Sequence, residues 1–401
     1  MFEYVVDAKD NQARVGTLAT PHGVVRTPMF MPVGTHGAVK GVSGTELASV
    51  GTQITLANTY HLYLRPGDDV VKNVGGLHEF TRFPGPILTD SGGYQVFSLG
   101  GRSGSGASKR ALCSVAEEGI TFRSHLDGSS HLFSPECSIE IQQNLGSDIM
   151  MAFDQPVYGM AGADEAGDAM SRSMRWLKRS HEQWRRGDYG RQALFGIVQG
   201  GIHTALHRES AEIVAAMDLP GNAIGGLSVG EGKEAMWAAV SSIVSILPHD
   251  KPRYFMGLGE PLDLIEATLR GVDMYDCVSP SRLARHGVGW QAEGSDEAVE
   301  AFYGGNTDVL LAKQLRFVRI NLHNAKYQND VKPLRTSTDR VGETASLPLA
   351  TVRHYIKEGE MLGFRLLTLH NICLLNTITE HMRNAITLGR LEELALQWGV
   401  S

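Results

Sequence analysis

The chain has 401 residues and a formal net charge of -7, enough length for one barrel-sized core of about 250 to 300 residues with additions, or for two smaller domains. The acidic balance argues against a surface coated in positive charge for indiscriminate nucleic-acid binding, though a local basic patch is compatible with it. Four scattered cysteines, Cys113, Cys137, Cys277 and Cys373, form neither a disulfide framework nor metal-ligand spacing; with no leader-like start and no run of about 18 apolar residues, a soluble cytoplasmic protein is expected.

Residues 4–18 read as a strand pair around a polar turn at 7–12. Residues 29–33 are apolar and end at Gly34. A helix follows with Ser43 or Thr45 as cap and Glu46 in its first turn. Residues 54–57 and 86–89 are two further buried strands, ending at Asn58 and at Asp90-Ser91-Gly92-Gly93-Tyr94. The sequence GGRSGSGAS at 100–108 carries too little apolar surface to fold alone and reads as a mobile loop. Residues 119–133 alternate around Asp127-Gly128, as a hairpin does. Ser134 with Pro135 then opens a helix to Leu145.

Beyond this point strands and helices alternate. Strands are expected at 148–153, 193–198, 222–224, 253–256 and 272–276, with helices at 164–186, around Leu206 to Met217, at 233–247 and at 261–270. This is the rhythm of βα units. Strand ends at Gly34, Asn58, Asp90, Asp154, Gln199, Gly226, Gly257 and Asp276 make eight, the number that closes a (β/α)8 TIM barrel. The polar and glycine residues fall at the carboxyl ends, where barrel enzymes work. A doubly wound open sheet is the runner-up, and would place the ligand loop at one switch point. The chain is read as one catalytic domain: the strand pair at about 1–20, the barrel at about 27–290, and a variant subdomain with C-terminal helices at about 290–400. Residues 332–344, KPLRTSTDRVGET, show no clear secondary structure, while 348–357 and 362–386 read as helices closing the bottom or side of the barrel.

The stretch RGVDMYDCVSPSRLAR at 270–285 delivers Asp276 at the end of a buried segment, the kind of place where a nucleophile is held by packing yet open to a ligand. Arg282 and Arg285 follow in what reads as a loop able to meet phosphates. The bland alternative is an acidic strand end capping the next turn, then a solvated basic loop. Aspartate is rarely buried without partners, so Asp90, Asp154 and Asp276 on one face call for a ligand, a cation or dense hydrogen bonding. No histidine stands at a strand end beside them, which disfavours a metal. Two carboxylates flanking a glycosidic carbon act as nucleophile and proton carrier. Gln199 can donate and accept at once, as a nucleobase edge requires. Gly225-Gly226 would present backbone amides where a side chain would collide. Tyr94 and Met256 can sandwich a flat ring, although Met256 alone reads as core. The set favours an enzyme acting on a purine-like base or nucleoside, with a sugar hydrolase close behind.

The motifs DSGGYQVFSL at 90–99, SDIMMAFD at 147–154, LFGIVQGG at 194–201, AIGGLSVGE at 223–231 and GVDMYDCVSPSR at 271–282 resemble those of the tRNA-guanine transglycosylase (queuine tRNA-ribosyltransferase) family, and the likeness spans nearly the whole chain. The resemblance implies a barrel with insertions and exchange of guanine at the wobble position of tRNAs with a G-U-N anticodon for a 7-deazaguanine. It implies that Asp276 attacks ribose C1′ and that Asp90 is the general acid/base. Asp154, Gln199 and the Gly226 amide would read the base edge, with Tyr94 and Met256 stacking on it and Ser91, Gly92, Gly93, Gly225, Leu227 and Glu231 completing the pocket. Gly257, Leu258, Gly259, Glu260, Pro261, Leu262 and Asp263, with Ser281, Arg282, Leu283, Ala284 and Arg285, match its RNA-contacting stretches. Partners implied are the tRNA, free preQ1 or queuine, and a second copy in a homodimer, with no membrane.

Two departures stand out. The family's zinc motif, C-x-C-x-x-C followed by a histidine, is reduced here to His370; Thr338, Arg340 and Glu343 or Thr344 stand where thiols are expected, so no zinc, no other metal and no cofactor is expected. After Asp154 the chain reads QPVYG, with Pro156 at a usual cysteine position. Leu227 to Glu231 match the bacterial form, in which valine narrows the pocket and the glutamate helps hold an aminomethyl group, so preQ1 is the favoured incoming base and queuine the second. A non-catalytic tRNA-binding scaffold of the same fold is the contrary reading.

Overall fold

A computed structural model describes residues 2–101, 113–187, 191–334 and 347–400. The chain opens with a three-stranded antiparallel sheet, β1 (Glu3–Asp10), β2 (Ala13–Thr20) and β3 (Gly23–Thr27). The expected strand pair thus gains a third member, whose short sequence GVVRT gives little periodic signal. Next come β4 (Met29–Gly34), β5 (Thr55–Ala57) and β6 (Ile87–Thr89), then an inserted antiparallel sheet of β7 (Cys113–Val115), β8 (Ile120–Arg123) and β9 (Ser130–Phe133). The series continues with β10 (Ile149–Met151), β11 (Ala193–Val198), β12 (Gly221–Ile224), β13 (Arg253–Phe255) and β14 (Met274–Cys277), and ends with the antiparallel pair β15 (Val288–Gly294) and β16 (Leu315–Asn321).

Strands β4, β5, β6, β10, β11, β12, β13 and β14 pair in parallel and close on themselves, β14 against β4. The chain is therefore a (β/α)8 barrel, and its eight strands are those whose ends the sequence marks. Helices begin where the local chemistry allows. Ser43 and Glu46 form a reciprocal capping box at Gly44–Ser49, and Ser134 caps Pro135–Leu145 with proline in the first turn. Gly100 and Gly101 end the helix Gly93–Gly101; the rest of the expected loop, 102–108, lies outside the described residues.

The barrel interior is filled by alternate residues of its strands, among them Met29, Met31, Leu56, Leu88, Met151, Phe195, Ile197, Tyr254 and Met274. Leu18 and Val25 of the N-terminal sheet plug its floor. That sheet is tied down by Arg14, whose guanidinium forms a buried ion pair with Asp273 at the amino end of β14. The two acids of GVDMYD thus part company: Asp273 anchors the floor, and Asp276 stands at the mouth.

The helix Met361–Thr387 packs against β4 and against helices Pro261–Leu269 and Ser279–Arg285, so it closes the side of the barrel. By length and composition this helix could cross a bilayer, but it is mostly buried inside the protein. Its polar groups are matched to the barrel: Asn371 accepts from the Trp290 amide and donates to the Pro280 carbonyl, and Asn376 donates to the Val50 carbonyl. The polar stretch after Gly294 contains a short helix, Asp296–Tyr303, capped by Ser295.

Candidate active site

Side chains alternate inward and outward along a strand, and that alternation builds the site. Leu56, Leu88, Ile197, Tyr254 and Met274 face the barrel interior. Two residues further on, Asn58, Asp90, Gln199, Met256 and Asp276 therefore stand on the same inward side at the mouth.

Asp276 is partly exposed there. Its Oδ1 accepts a 2.6 Å hydrogen bond from the Tyr254 hydroxyl and a 2.8 Å bond from the Gly257 amide. Oδ2 has no hydrogen bond to any described residue, so one oxygen is held and the other points to the opening. Removal from bulk water raises the pKa of Asp276 above the ordinary carboxylate range, and the two donors oppose that rise.

Asp90 is 8% exposed. The Thr59 amide donates to its Oδ1 at 2.9 Å, and the Asn58 side-chain amide donates to Oδ2. The Asn58 carbonyl is engaged by the His61 amide at 3.0 Å, which fixes the Asn58 amide with its NH2 toward Asp90. Burial pushes the Asp90 pKa up to about 7; the Thr59 amide lowers it, while the charges of Asp276 and Asp154 raise it further. The charge of Asp276 thus bears on Asp90 within one mouth.

On the arc from β6 to β12, Asp154 accepts from the Ser91 hydroxyl at 3.0 Å and from Gln199 Nε2 at 2.6 Å. Burial raises its pKa to about 6, against the pull of those two donors. With its nitrogen committed to Asp154, Gln199 presents Oε1, which is buried and has no hydrogen-bond partner among the described residues. Gly226, at φ +70°, makes room for that oxygen: a Cβ there would lie 2.4 Å from it. The Gly225 amide donates to the Val198 carbonyl, whereas the Gly226 amide donates to no described protein group. Of the two glycines, it is Gly226 that can offer an N–H to a ligand. Gly93 is likewise close-packed, since a Cβ there would meet the Asp154 carbonyl at 2.6 Å, and one at Gly92 would meet the Phe133 ring at 2.9 Å.

Tyr94 is 52% exposed, and Met256 is half-buried at the mouth. Leu227 is buried. The Glu231 carboxylate accepts from the amides of Ser228 and Val229 and lies where a Cβ on Gly159 would be 2.8 Å away. The departure around Pro156 therefore abuts the Glu231 loop, with Pro156 and Val157 turned inward.

The stretches expected to meet RNA divide by exposure. Gly257 is open and Glu260 and Leu262 are half-buried, while Leu258, Gly259, Pro261 and Asp263 are buried. Asp263 pairs with Lys233 at 2.5 Å, and Glu260 with Arg319. Residues Ser279–Arg285 form a helix rather than the expected loop, with Pro280 in its first turn. Arg282 and Arg285, three apart, are exposed on it, Ser281 and Ala284 are buried, and Leu283 is half-buried. Sequence reasoning gave no role to Tyr254, Asn58 and Thr59, which hold the two working carboxylates. The signal was present for Asn58, a polar strand end, but not for Tyr254, which reads as an ordinary core aromatic.

The residues do not fit the family's zinc. Thr338, Arg340, Glu343 and Thr344 lie outside the described residues, and none of them carries a thiol or imidazole. His370 is buried, and its Nε2 donates to the Trp290 carbonyl at 2.5 Å. All four cysteines lie elsewhere in the sequence. Among the described residues, the group that could hold a metal is His22, His78 and Asp148, which has no thiolate.

A family model described as queuine tRNA-ribosyltransferase matches residues 9–399. The chain is 44% identical over 397 residues to the queuine tRNA-ribosyltransferase of Herpetosiphon aurantiacus, covering 99% of this chain and 92% of that protein. It is 44% identical over 385 residues to the protein so named in Desulforamulus reducens, covering 96% and 94%. It is 45% identical over 383 residues to that of Moorella thermoacetica, covering 96% and 92%.

Proposed function

The chain belongs to the queuine tRNA-ribosyltransferase family, and on that premise we propose a mechanism of tRNA-guanine transglycosylation for its barrel mouth. The reaction is a pentosyl transfer between a tRNA nucleotide and a free base. The observation that carries the residue assignment is the pair of unlike carboxyls, Asp276 held by Tyr254 and Gly257 and Asp90 buried with a pKa near 7.

In the first step Asp276 Oδ2 attacks C1′ of the target ribose as the C1′–N9 bond breaks. The protonated Asp90 gives its proton to the leaving guanine. The product is an ester between Asp276 and the ribose of an otherwise intact RNA. In the second step the incoming 7-deazaguanine attacks C1′ through N9, its proton passes to ionised Asp90, and Asp276 is released. Two displacements at one carbon retain configuration, and one glycosidic bond replaces another without nucleotide hydrolysis. The base edge meets Gln199 Oε1, the Asp154 carboxyl and the Gly226 amide, a set that supplies acceptors and a donor together. The target must leave its stack, and an anticodon loop already presents unstacked bases; Arg282 and Arg285 would meet its phosphates.

The finer reading is a tRNA with a G-U-N anticodon and preQ1 as the incoming base. Its support is the Glu231 carboxylate, an anionic group in the loop after Gly226 that can face an ammonium, with Val229 beside it. A cytoplasmic homodimer is proposed from the family resemblance. The test is release of labelled guanine from unmodified G-U-N tRNA with preQ1 and queuine in parallel. Incorporation of preQ1 alone is expected. Incorporation of queuine would make this a salvage enzyme, and tight tRNA binding without any exchange would favour the scaffold reading.

A further inference from the structure

The rim beside Asp90 carries three imidazoles for which the proposed chemistry has no use. His36 lies just beyond β4, His61 lies in helix Thr59–Leu64 after β5, and His125 lies between β8 and β9. The ring centroids of His36 and His61 are 4.9 Å apart, and those of His61 and His125 are 5.9 Å apart. The Tyr60 hydroxyl sits 3.0 Å from His125 Nδ1 and orients that ring. The cluster is one helical turn from the site: the His61 amide donates to Asn58, whose own amide donates to Asp90.

Every titratable side chain in the cluster is a base. Burial comes first in making His36 and His61 hard to protonate, and the charged neighbours that add to it are all bases. Lys40, His125 and Arg65 act on His36; His36, His125 and Lys40 act on His61, which falls to about 4. Among the described residues none of these five side chains is hydrogen-bonded or ion-paired to a carboxylate. In a chain with 44 acidic against 37 basic residues, five clustered bases without an acid are a site for an anion from outside.

We propose that His36, His61 and His125, with Lys40 and Arg65, seat a backbone phosphodiester of the RNA substrate flanking the nucleotide whose base is exchanged. The inference rests on the transglycosylase reading. A ribose whose C1′ lies between Asp276 and Asp90 carries phosphates on its own C3′ and C5′ oxygens, so a phosphodiester must pass along the rim next to these carboxylates. A mouth lined by three aspartates repels it; Lys40 and Arg65 supply the compensating charge, and the imidazoles supply N–H donors. Each ring offers an N–H whether neutral or protonated, and an anion within reach favours the protonated form. The cluster thereby positions the RNA without touching the reacting bond.

The test uses His36→Ala and Lys40→Ala in the full chain; both side chains are exposed, so each variant is expected to melt as wild type. Dissociation constants for a G-U-N tRNA are measured across a salt series, together with steady-state exchange. Each variant should raise Kd and KM severalfold with kcat unchanged, and should flatten the salt dependence of log Kd, by about 0.7 where a full phosphate contact is lost. An anticodon stem-loop with a neutral methylphosphonate on either side of the target nucleotide should weaken wild type at one linkage, and weaken the variants less at that same linkage. Unchanged Kd and salt slope in both variants, or equal methylphosphonate effects in variant and wild type, would overturn the proposal. A wild-type protein that binds no tRNA would sink the functional reading itself, a distinct result.

Discussion

The hydroxyl of Tyr254 and the carboxylate of Asp276 meet at 2.6 Å across neighbouring barrel strands, β13 and β14. The pairing register sets Tyr254 opposite Met274, so the long phenol reaches two residues toward the mouth to find Asp276. Burial and the nearby Asp276 charge hold the phenol well above its ordinary pKa, so it stays a donor. Tyr254→Phe removes a bond to a charged group, worth about 1.5 to 3 kcal/mol. Exchange at neutral pH should fall roughly 10- to 100-fold. The acid limb of the kcat/KM profile should move to higher pH, because Asp276 loses a donor that favours its ionised form. A profile with that limb unmoved would show that the phenol does not tune the nucleophile.

Asp276→Asn should reduce turnover by about a thousandfold or more and abolish the covalent RNA adduct trapped by denaturing electrophoresis. Asp90→Asn should lower kcat by about 100- to 10,000-fold, the usual share of a general acid/base, while leaving tRNA affinity near wild type. Near-normal turnover in either variant contradicts the roles assigned here.

The raised pKa of Asp90 also has a stability consequence. Between the ordinary carboxyl range and about 7 the folded state holds a proton that the unfolded state has released. Stability linked to Asp90 is therefore present at low pH, is lost as pH rises through that window, and stays lost above it. Asp90→Asn should raise Tm relative to wild type more at pH 8 than at pH 5. A difference in Tm that is the same at both pH values would argue that Asp90 is not buried at a raised pKa.

Gly226→Ala tests the base pocket. The added methyl would lie 2.4 Å from Gln199 Oε1, at a backbone φ of +70°, so either the carboxamide moves or the loop does. Strain of about 1 to 3 kcal/mol and a displaced acceptor should raise the KM for the incoming base about tenfold or more, with a smaller effect on tRNA affinity. Unaltered base KM would remove Gln199 and Gly226 from the recognition set.

Extended dialysis against a strong chelator should leave Tm and exchange unchanged, because the family's zinc site needs three thiolates, and the segment at 335–346 carries none. Elemental analysis of the purified chain finding one firmly held zinc per subunit would contradict this.

Much of the site is legible because its grammar is local. Each barrel strand is a short apolar run ending in a polar or glycine residue, which marks Asp90, Gln199, Gly226 and Asp276 as carboxyl-end residues; their facing follows from the two-residue period once the barrel interior is known. The helix start at Ser134 is equally readable, since a cap is a contact between residues three apart, whereas Ser43 and Thr45 both suit the earlier helix until the structure shows Ser43 in a capping box. Where the grammar is not local the reading fell short. β3 is too short to show a period, and the arginines after Asp276 looked like loop because Ser-Pro-Ser reads as a turn until Pro280 is seen in a helical first turn.

What the sequence determined by itself is the eight barrel strands and the residues at their carboxyl ends, because each is a local apolar run with a polar or glycine stop. What only the tertiary structure decided is which of those ends meet. Closure of β14 on β4 and of β6 on β10 brings the charges of Asp276 and Asp154 to bear on Asp90, gives Asp276 the phenol of Tyr254, and gathers His36, His61 and His125 on one rim. The physical reason is that burial, Coulomb coupling and hydrogen bonding depend on distance through space, and the barrel sets that distance between residues far apart in the chain.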